Sequence, residues 1–480
     1  MKNCLLCCPV LLSLLLVVSS APQTHADVTL PKVIGSHMVM QRDRPLPIWG
    51  WAAPDEEVTV KFDEATATTK ADAQGNWKVV LPAVQADGGK THAMTVIGKN
   101  KIDLEDILIG DVWIGSGQSN MELPVRAAAG AESAMAAADH PQIRLLHIKK
   151  VQTLQPARDI VVPGGGPAKI LPAWKVCSPK SVPVMSGVLY YFGERLHKEL
   201  GVPVGLIHSS WGGSPIEDWI VSGERSGQKY NGMLAPVKPF AIRGVIWYQG
   251  ESNVANGLAY ANKMKALIGG WRQLWGYEFP FYFVEIAPFS GYGPGVLPPL
   301  WEAQVASLKI PGTGMAVTTD LVENLGDIHP KNKLDVGNRL ALWALVKEYG
   351  KKDLVYSGPL YKSMKVDGNK IRLTFAHVGS GLKSRDGKPL SEFEIAAADG
   401  KFVPAEATID GDSVVVQAKE VAAPTQVRFG WRNVANPNLV NKEGLPASPF
   451  QTNNWQGGTG EGHSQAGPPA PEVIAVRPEA

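Results

Sequence analysis

The clearest signal of the fold is Leu108-Ile109-Gly110-Asp111-Val112-Trp113-Ile114-Gly115, followed closely by the block Gly117-Gln118-Ser119-Asn120-Met121. The first part is a nearly continuous apolar run, which predicts a strand buried on both faces of a parallel sheet. The second part is polar and contains glycine, so the chain can turn tightly and present Ser119 beyond the carboxyl end of the strand, where ligands of such sheets bind. Ser119 is thus a candidate nucleophile, although a serine that caps a helix fits the motif alone equally well.

Apolar strands that alternate with helix-compatible stretches continue beyond this motif and predict an α/β fold, with a parallel sheet covered on both faces. On both sides of this region, short alternating runs separated by turns predict β-sandwich-like modules. The helix-compatible and strand-like segments of the middle region are 188–200, 204–208, 244–247, 260–275, 281–286 and 333–349. We expect a signal peptide at 1–26, an N-terminal β-domain at 27–106, a catalytic domain at 107–352, a C-terminal β-domain at 353–455 and a flexible tail at 456–480.

The first 26 residues have the pattern of an export signal. A short basic start precedes an apolar run over 4–18 and small and polar residues that end at Ala26, after which we expect cleavage. The run is shorter than the roughly 20 residues that a membrane-spanning helix needs. Cys177 is the one cysteine beyond this segment, so the mature chain cannot form an internal disulfide, and we expect a buried, inert thiol. These features predict an exported bacterial protein, periplasmic or secreted.

The composition argues against several classes of partner. The chain of 480 residues has a formal net charge of +2 and 19% charged residues, which is too weak a field to attract nucleic acid or, after signal removal, a membrane surface. The sequence has no His-Glu-x-x-His, paired-cysteine or calcium-loop motif, and Gly164-Gly165-Gly166 lacks the Lys-Ser/Thr pair of a phosphate loop. We expect no metal, no cofactor and a small or neutral ligand.

A candidate base lies in Asp327-Ile328-His329-Pro330. A serine hydroxyl is a poor nucleophile until a nearby base takes its proton, and histidine suits that task near neutral pH. Asp327 can orient the His329 ring and stabilise the imidazolium. Taken alone, the pattern also fits an ordinary loop.

Two more polar clusters follow predicted strands. The segment 247–253 contains Gln249, a candidate donor to an oxyanion, and the segment 209–219 contains glycines that could offer a backbone N–H to the same oxygen. Four strand ends of one predicted sheet thus carry a nucleophile, a base and oxyanion donors. Coincidence is the harder explanation, and the combination predicts acyl transfer by a serine hydrolase.

These clusters resemble the sialate O-acetylesterase family, which belongs to the SGNH hydrolases. The resemblance implies an SGNH-type three-layer domain with Ser119, His329 and Asp327 as catalytic residues. It also implies an oxyanion hole made by Ser119, by Gly213 or Gly212, and by Gln249, although many SGNH enzymes carry asparagine at this last position. The blocks that carry the resemblance are Gly117-Gln118-Ser119-Asn120-Met121, Ser210-Trp211-Gly212-Gly213, Trp247-Tyr248-Gln249-Gly250-Glu251-Ser252-Asn253 and Asp327-Ile328-His329-Pro330.

The resemblance further implies a serine esterase that removes O-acetyl groups from a carbohydrate through an acyl-enzyme, with 9-O-acetyl sialic acid as the first candidate substrate. An acetyl-xylan or other plant-polysaccharide esterase is the alternative within this class, and a non-catalytic carbohydrate-binding protein is the alternative outside it. We expect His208 to be a structural histidine and favour a structural role for Glu251. Five residues could contact a sugar, namely Trp211, Trp219, Tyr248, Glu251 and Trp301. Burial explains the aromatic ones about as well.

Overall fold

The computed structural model describes residues 27–162, 173–222, 225–455 and 457–459. The predicted signal peptide and most of the predicted flexible tail therefore lie outside the described residues. The architecture is mixed α/β, with one large mixed sheet and several smaller β-sheets, which confirms the predicted class at this level. Within the described ranges, the helices are too short or too polar to form a membrane-spanning segment.

We number the helices α1 to α7 and the strands β1 to β25. The helices are α1 (Ser119–Glu122), α2 (Ala131–Ala137), α3 (Gly187–Leu200), α4 (Gln228–Met233), α5 (Tyr260–Trp275), α6 (Leu297–Ala306) and α7 (Lys333–Lys347). The strands are β1 (Val39–Gln41), β2 (Leu46–Trp51), β3 (Glu57–Phe62), β4 (Ala65–Lys70), β5 (Asn76–Leu81), β6 (His92–Ile97), β7 (Lys101–Gly117), β8 (His140–His147), β9 (Lys175–Cys177), β10 (Val204–Ser210), β11 (Val221–Ser222), β12 (Arg225–Ser226), β13 (Gly244–Tyr248), β14 (Phe281–Val284), β15 (Thr313–Ala316), β16 (Leu360–Asp367), β17 (Lys370–Ala376), β18 (Leu382–Ser384), β19 (Phe393–Ala396), β20 (Val403–Pro404), β21 (Glu406–Asp410), β22 (Ser413–Gln417), β23 (Gln426–Phe429), β24 (Leu439–Asn441) and β25 (Phe450–Gln451).

The large sheet contains six parallel strands in the order β8-β10-β7-β13-β14-β15, with β9 antiparallel to β8 at one edge. From β7 the chain first builds the sheet on the β10 side and then returns to build it on the β13 side. The strand order therefore reverses at β7. In open α/β sheets, this reversal opens a crevice at the carboxyl end of the strand, where ligands bind.

Strand β7 belongs to two parts of the molecule. Its first residues pair antiparallel with β6, whereas Leu108 pairs with β1 and the residues from Asp111 onward pair with β10. Burial is intermittent over the first six residues and continuous from Ile107 to Gly117. Because a strand buried on both faces reads as an uninterrupted apolar run, the sequence predicts the second part well and misses that the strand begins at Lys101.

Helices pack against both faces of the parallel sheet. Side chains of neighbouring strand residues point to opposite faces, and Tyr282 and Phe281 in β14 illustrate this. The Tyr282 ring lies 6.4 Å from that of Trp343 in α7, whereas the Phe281 ring lies 5.9 Å from that of Trp271 in α5. On the Tyr282 face, α3 also packs through Phe192, whose ring lies 4.9 Å from that of Trp113 in β7.

Buried apolar side chains form two clusters. The first includes residues from Val28 to Leu360 and unites the N-terminal strands with the parallel sheet. The second runs from Tyr361 to Phe450 and fills the space between the C-terminal antiparallel sheets. The N-terminal strands thus share a core with the α/β region, and the predicted domain limits remain predictions.

Candidate active site

The register of three central strands brings the predicted loops together. Gly117 at the end of β7 is paired with Ser210 at the end of β10 and with Tyr248 at the end of β13. The three strands therefore end at the same level. The residues that follow them, which include Ser119, Trp211 to Gly213 and Gln249 to Glu251, lie side by side where the strand order reverses.

A tight turn presents Ser119. Gly117 has a φ of +134°, and a Cβ atom there would lie 2.2 Å from the Tyr248 carbonyl oxygen, so the turn requires glycine for both reasons. The Gln118 N–H donates to the same Tyr248 oxygen at 2.9 Å. Helix α1 begins at Ser119, whose N–H belongs to the first turn and has no acceptor within the helix. The half-buried Ser119 thus offers both a hydroxyl and a backbone donor to the site.

The predicted base and its partner share one loop. The His329 N–H donates to Asp327 Oδ1 at 2.9 Å. His329 Nδ1 is 3.7 Å from the same oxygen, which is too long for a hydrogen bond, and both side chains are about one-third exposed (36% and 37%). Catalytic hydrogen bonds are often this loose before substrate binds. Burial lowers the pKa of His329, Asp327 opposes this effect, and Lys333 and Lys331 add to it.

Asn120 links the candidate nucleophile Ser119 to this loop. Its Nδ2 atom donates to the Ile328 carbonyl oxygen at 3.0 Å, so the residue after Ser119 holds the residue before His329. The same Nδ2 donates to Glu251 Oε1, and Lys333 Nζ donates to Asn120 Oδ1. In the sequence, the place of Asn120 beside Ser119 is the one signal of its contacts, and no signal points to Lys333.

The two glycines after β10 are not equivalent. The Gly212 N–H already donates to Glu122 Oε2 at 2.6 Å, and a Cβ atom on Gly212 would lie 3.4 Å from Ser119 Cβ. The Gly213 N–H has no acceptor among the described residues, and Gly213 is exposed with a φ of +73°. Of the two, Gly213 is therefore the one whose N–H is still available as a donor.

Gln249 is occupied by other contacts, which is a correction to its predicted role. Its Nε2 atom donates to the Ser214 carbonyl oxygen at 3.2 Å and to Asn253 Oδ1 at 2.7 Å, and its Oε1 atom accepts from the Tyr260 hydroxyl at 2.7 Å. An amide nitrogen has two hydrogens, and both are used. The fully buried side chain ties three segments together, and it has no hydrogen left for an oxyanion.

Three of the predicted sugar-contacting residues lie in the core, which corrects that prediction. Trp219, Tyr248 and Trp301 are fully buried, and the indole nitrogens of the two tryptophans donate to Ser214 Oγ and to the Ile286 carbonyl oxygen. A buried ring cannot stack on a ligand from solvent.

Glu251 is also buried, where it accepts from Asn120, in line with the favoured structural role. Trp211 is the predicted ring that stays half-buried at the site. The ammonium groups of Lys150 and Lys229 lie 5.9 and 5.0 Å from its ring centroid.

Two other side chains behave as structural groups. His208 is buried, and its Nε2 lies 2.6 Å from Ser210 Oγ. Cys177 is buried as well, and burial raises the pKa of its thiol to about 12, which keeps it protonated and unreactive. In the described ranges, His, Cys, Asp and Glu side chains form no group of three or more that could hold a metal ion. We therefore assign no metal ligands.

This chain matches a family model, mammalian relatives and a solved structure that are all described as acetylesterases of carbohydrates. Residues 109–345 match the family model of carbohydrate esterases described as sialic acid-specific acetylesterase. The sialate O-acetylesterase of Homo sapiens is 29% identical over 87% of this chain and 91% of its own length, and that of Mus musculus is 28% identical over 83% and 88%.

One solved structure is more similar in sequence to this chain than these two relatives are. The carbohydrate acetylesterase of Xanthomonas citri is 40% identical, covers 89% of this chain and 100% of its own, and superimposes with a TM-score of 0.84. An enzyme of this family hydrolyses a carboxylic ester, and its substrate is an O-acetylated carbohydrate. The chain belongs to the carbohydrate acetylesterases and is a carboxylic ester hydrolase.

Proposed function

We propose that this protein is a serine esterase that removes O-acetyl groups from carbohydrates through an acetyl-enzyme. The observation that supports it best is the pairing of Gly117 with both Ser210 and Tyr248, since this register gathers the nucleophile, a glycine donor and the Asn120-linked histidine loop at one point of the sheet. We assign the sheet with helices on both faces to the SGNH-type three-layer arrangement.

In the proposed mechanism, His329 accepts the Ser119 proton while Ser119 Oγ bonds to the acetyl carbonyl carbon. The backbone N–H groups of Ser119 and Gly213 stabilise the oxyanion, and Asp327 stabilises the imidazolium. His329 then gives its proton to the sugar oxygen, which leaves as an alcohol. Water then gives a proton to His329 as it attacks the acetyl-enzyme; the bond from the acetyl carbon to Ser119 Oγ breaks, His329 returns the proton to Oγ, and acetic acid leaves and ionises to acetate.

For the substrate, we propose 9-O-acetyl sialic acid; the family description and the mammalian relatives favour an O-acetylated sialic acid and name no hydroxyl position. Acetylated plant polysaccharide is a second candidate. The Xanthomonas citri enzyme, at 40% identity against 29% for human sialate O-acetylesterase, is described as a carbohydrate acetylesterase without restriction to sialic acid. We also propose export to the periplasm or the medium, on the basis of the leader pattern in residues 1–26.

The decisive experiment measures acetate release from O-acetylated sialic acid and from acetylated xylan by the wild type, by Ser119→Ala and by Ser252→Ala. Ser252 is an exposed serine of a neighbouring loop whose contact to Gln118 uses its backbone N–H, which alanine retains. We expect Ser119→Ala to lose at least about 10³-fold in kcat, and Ser252→Ala to match the wild type. Equal turnover by the wild type and Ser119→Ala contradicts the serine mechanism, and the preferred substrate decides between the two candidates.

A further inference from the structure

Three polar side chains are buried directly behind the nucleophile. Lys333 Nζ donates to Asn120 Oδ1 at 2.7 Å, and Asn120 Nδ2 donates to Glu251 Oε1 at 2.5 Å. Each residue is less than a tenth exposed. Burial of two ionisable groups is costly, and apolar residues of similar volume often give equal or greater stability. We call these residues the Asn120–Glu251–Lys333 cluster and ask what they contribute besides stability.

The cluster joins the elements that carry the catalytic groups. Asn120 lies in α1 next to Ser119, and its Nδ2 also donates to the carbonyl oxygen of Ile328, the residue before His329. Glu251 follows β13, and Lys333 is the first residue of α7. One amide group thus sets the distance between the nucleophile helix and the histidine loop.

The two charged partners determine which way this amide faces. The oxygen and nitrogen of an asparagine side chain have nearly the same shape, so packing alone does not distinguish the two orientations. An ammonium group donates only and an ionised carboxylate accepts only. When Lys333 is protonated and Glu251 is ionised, Oδ1 therefore faces the lysine, and Nδ2 faces both Glu251 and the Ile328 oxygen.

We propose that Lys333 and Glu251 are positioning residues of the esterase reaction, which orient the Asn120 amide so that it holds the His329 loop against Ser119. This inference rests on the proposed function of Ser119 and His329. Lys333 also acts electrostatically, because it and Lys331 lower the pKa of His329, whereas Asp327 raises it. Burial lowers the pKa of Lys333 to about 7 and raises the pKa of Glu251, and the attraction between their charges opposes both effects.

The test compares Lys333→Met with Lys331→Met, using an aryl acetate and the pH profiles of kcat and KM. Both variants remove a positive charge that lowers the pKa of His329, so in both the acid limb of kcat/KM should move to higher pH. Lys331 is 47% exposed and pairs with Asp327 at 3.5 Å, with no contact to Asn120. We expect the plateau kcat to fall about 10- to 100-fold in Lys333→Met, with little change in KM, and to stay near the wild type in Lys331→Met. Equal plateau values in the two lysine variants overturn the proposal.

Glu251→Gln provides a second measurement if Lys333→Met does not fold. Glutamine keeps the shape of glutamate but offers a donor as well as an acceptor, so the Asn120 amide is no longer held in one orientation. We expect a folded protein with reduced kcat. A folded Glu251→Gln variant with wild-type kcat throughout the pH range overturns the proposal. An inactive wild type, or a fully active Ser119→Ala variant, instead contradicts the proposed function.

Discussion

Two side-chain amides near the nucleophile carry out similar tasks in different places. Asn120 connects the nucleophile helix to the histidine loop, and Gln249 connects its own strand end to Ser214, Asn253 and Tyr260. Both amides donate two hydrogen bonds within the protein. At residue scale, therefore, these polar side chains bind other loops of the candidate site, and the few donors and acceptors that remain free are those available to a substrate.

This reading of Gln249 predicts the effect of Gln249→Ala. The change removes two hydrogen bonds from buried acceptors and leaves a cavity, so we expect a loss of stability of about 1–3 kcal/mol or more. It should lower kcat by less than about 10-fold, because the proposed oxyanion donors are the backbone N–H groups of Ser119 and Gly213. The measurements are the melting temperature and kcat of the variant and the wild type. An unchanged melting temperature together with a loss of about 10²–10³ in kcat would restore Gln249 as an oxyanion donor.

The sequence predicts where polar groups gather more reliably than what they contact. Gln249, Glu251 and Tyr248 belong to one predicted block, yet all three face the interior. A polar block after a strand indicates a loop at the ligand-binding edge, but the direction of each side chain depends on the neighbouring strands. The same limit applies to Trp219 and Trp301, since an indole ring suits both a core and a sugar platform.

At the scale of elements, the apolar pattern identifies most of the catalytic region. The segment predicted at 260–275 is α5 (Tyr260–Trp275), and that predicted at 333–349 contains α7 (Lys333–Lys347). Strand β8 (His140–His147) was missed because its first residues are exposed or half-exposed and it includes the polar Arg144, so it lacks a continuous apolar run. Periodicity detects an element that is buried along its whole length, on one face or on both. It fails for a strand such as β8, which is buried over only part of its length.

The contact between α3 and α7 predicts an unusual effect of Gly337→Ala. Alanine normally stabilises a helix interior by about 0.5–1 kcal/mol relative to glycine. In α7, however, a Cβ atom on Gly337 would lie 2.8 Å from Tyr191 Cβ and from the Val188 carbonyl oxygen of α3. We therefore expect a destabilisation of about 1–3 kcal/mol from overpacking.

Gly269→Ala in α5 is the matched control for this prediction. Gly269 is exposed, and a Cβ atom there would meet no other atom within 4 Å. This variant should be more stable than the wild type by up to about 1 kcal/mol. Chemical denaturation of both variants measures the difference, and a change of the same sign in both would contradict close packing of α3 on α7.

At the scale of the whole molecule, the C-terminal β-region supports the active-site side of the sheet. The Phe289 N–H donates to the Asn433 carbonyl oxygen, and the Ser290 N–H donates to the Leu325 carbonyl oxygen in the loop that leads to His329. The histidine loop is thus held indirectly by a segment more than 100 residues away in sequence. Composition and periodicity indicate that a C-terminal β-module exists, but they contain no information about such pairings, which depend on how the two cores meet.

Glu285, just after β14, lies where the C-terminal region meets the sheet and should make stability depend on pH. It is fully buried, its Oε2 accepts from the Ser448 hydroxyl at 2.6 Å, and its Oε1 has no partner among the described residues. Burial raises the pKa of Glu285 from 4.5 to about 8, and the bond from Ser448 only partly opposes this.

The sign of this effect follows from the proton count. Between pH 4.5 and about 8, Glu285 is protonated in the folded chain and ionised in the unfolded chain. Raising the pH through this range therefore favours unfolding, by up to about 1.4 kcal/mol per pH unit from this group. Glutamine cannot ionise, so Glu285→Gln should have a higher melting temperature than the wild type at pH 9 and a similar one at pH 5. Glu420→Gln, at an exposed glutamate without an ion pair among the described residues, is the control and should follow the wild type at both values. An equal fall in melting temperature from pH 5 to pH 9 in all three proteins would mean that Glu285 is already ionised in the folded chain, and that another buried group causes the pH dependence.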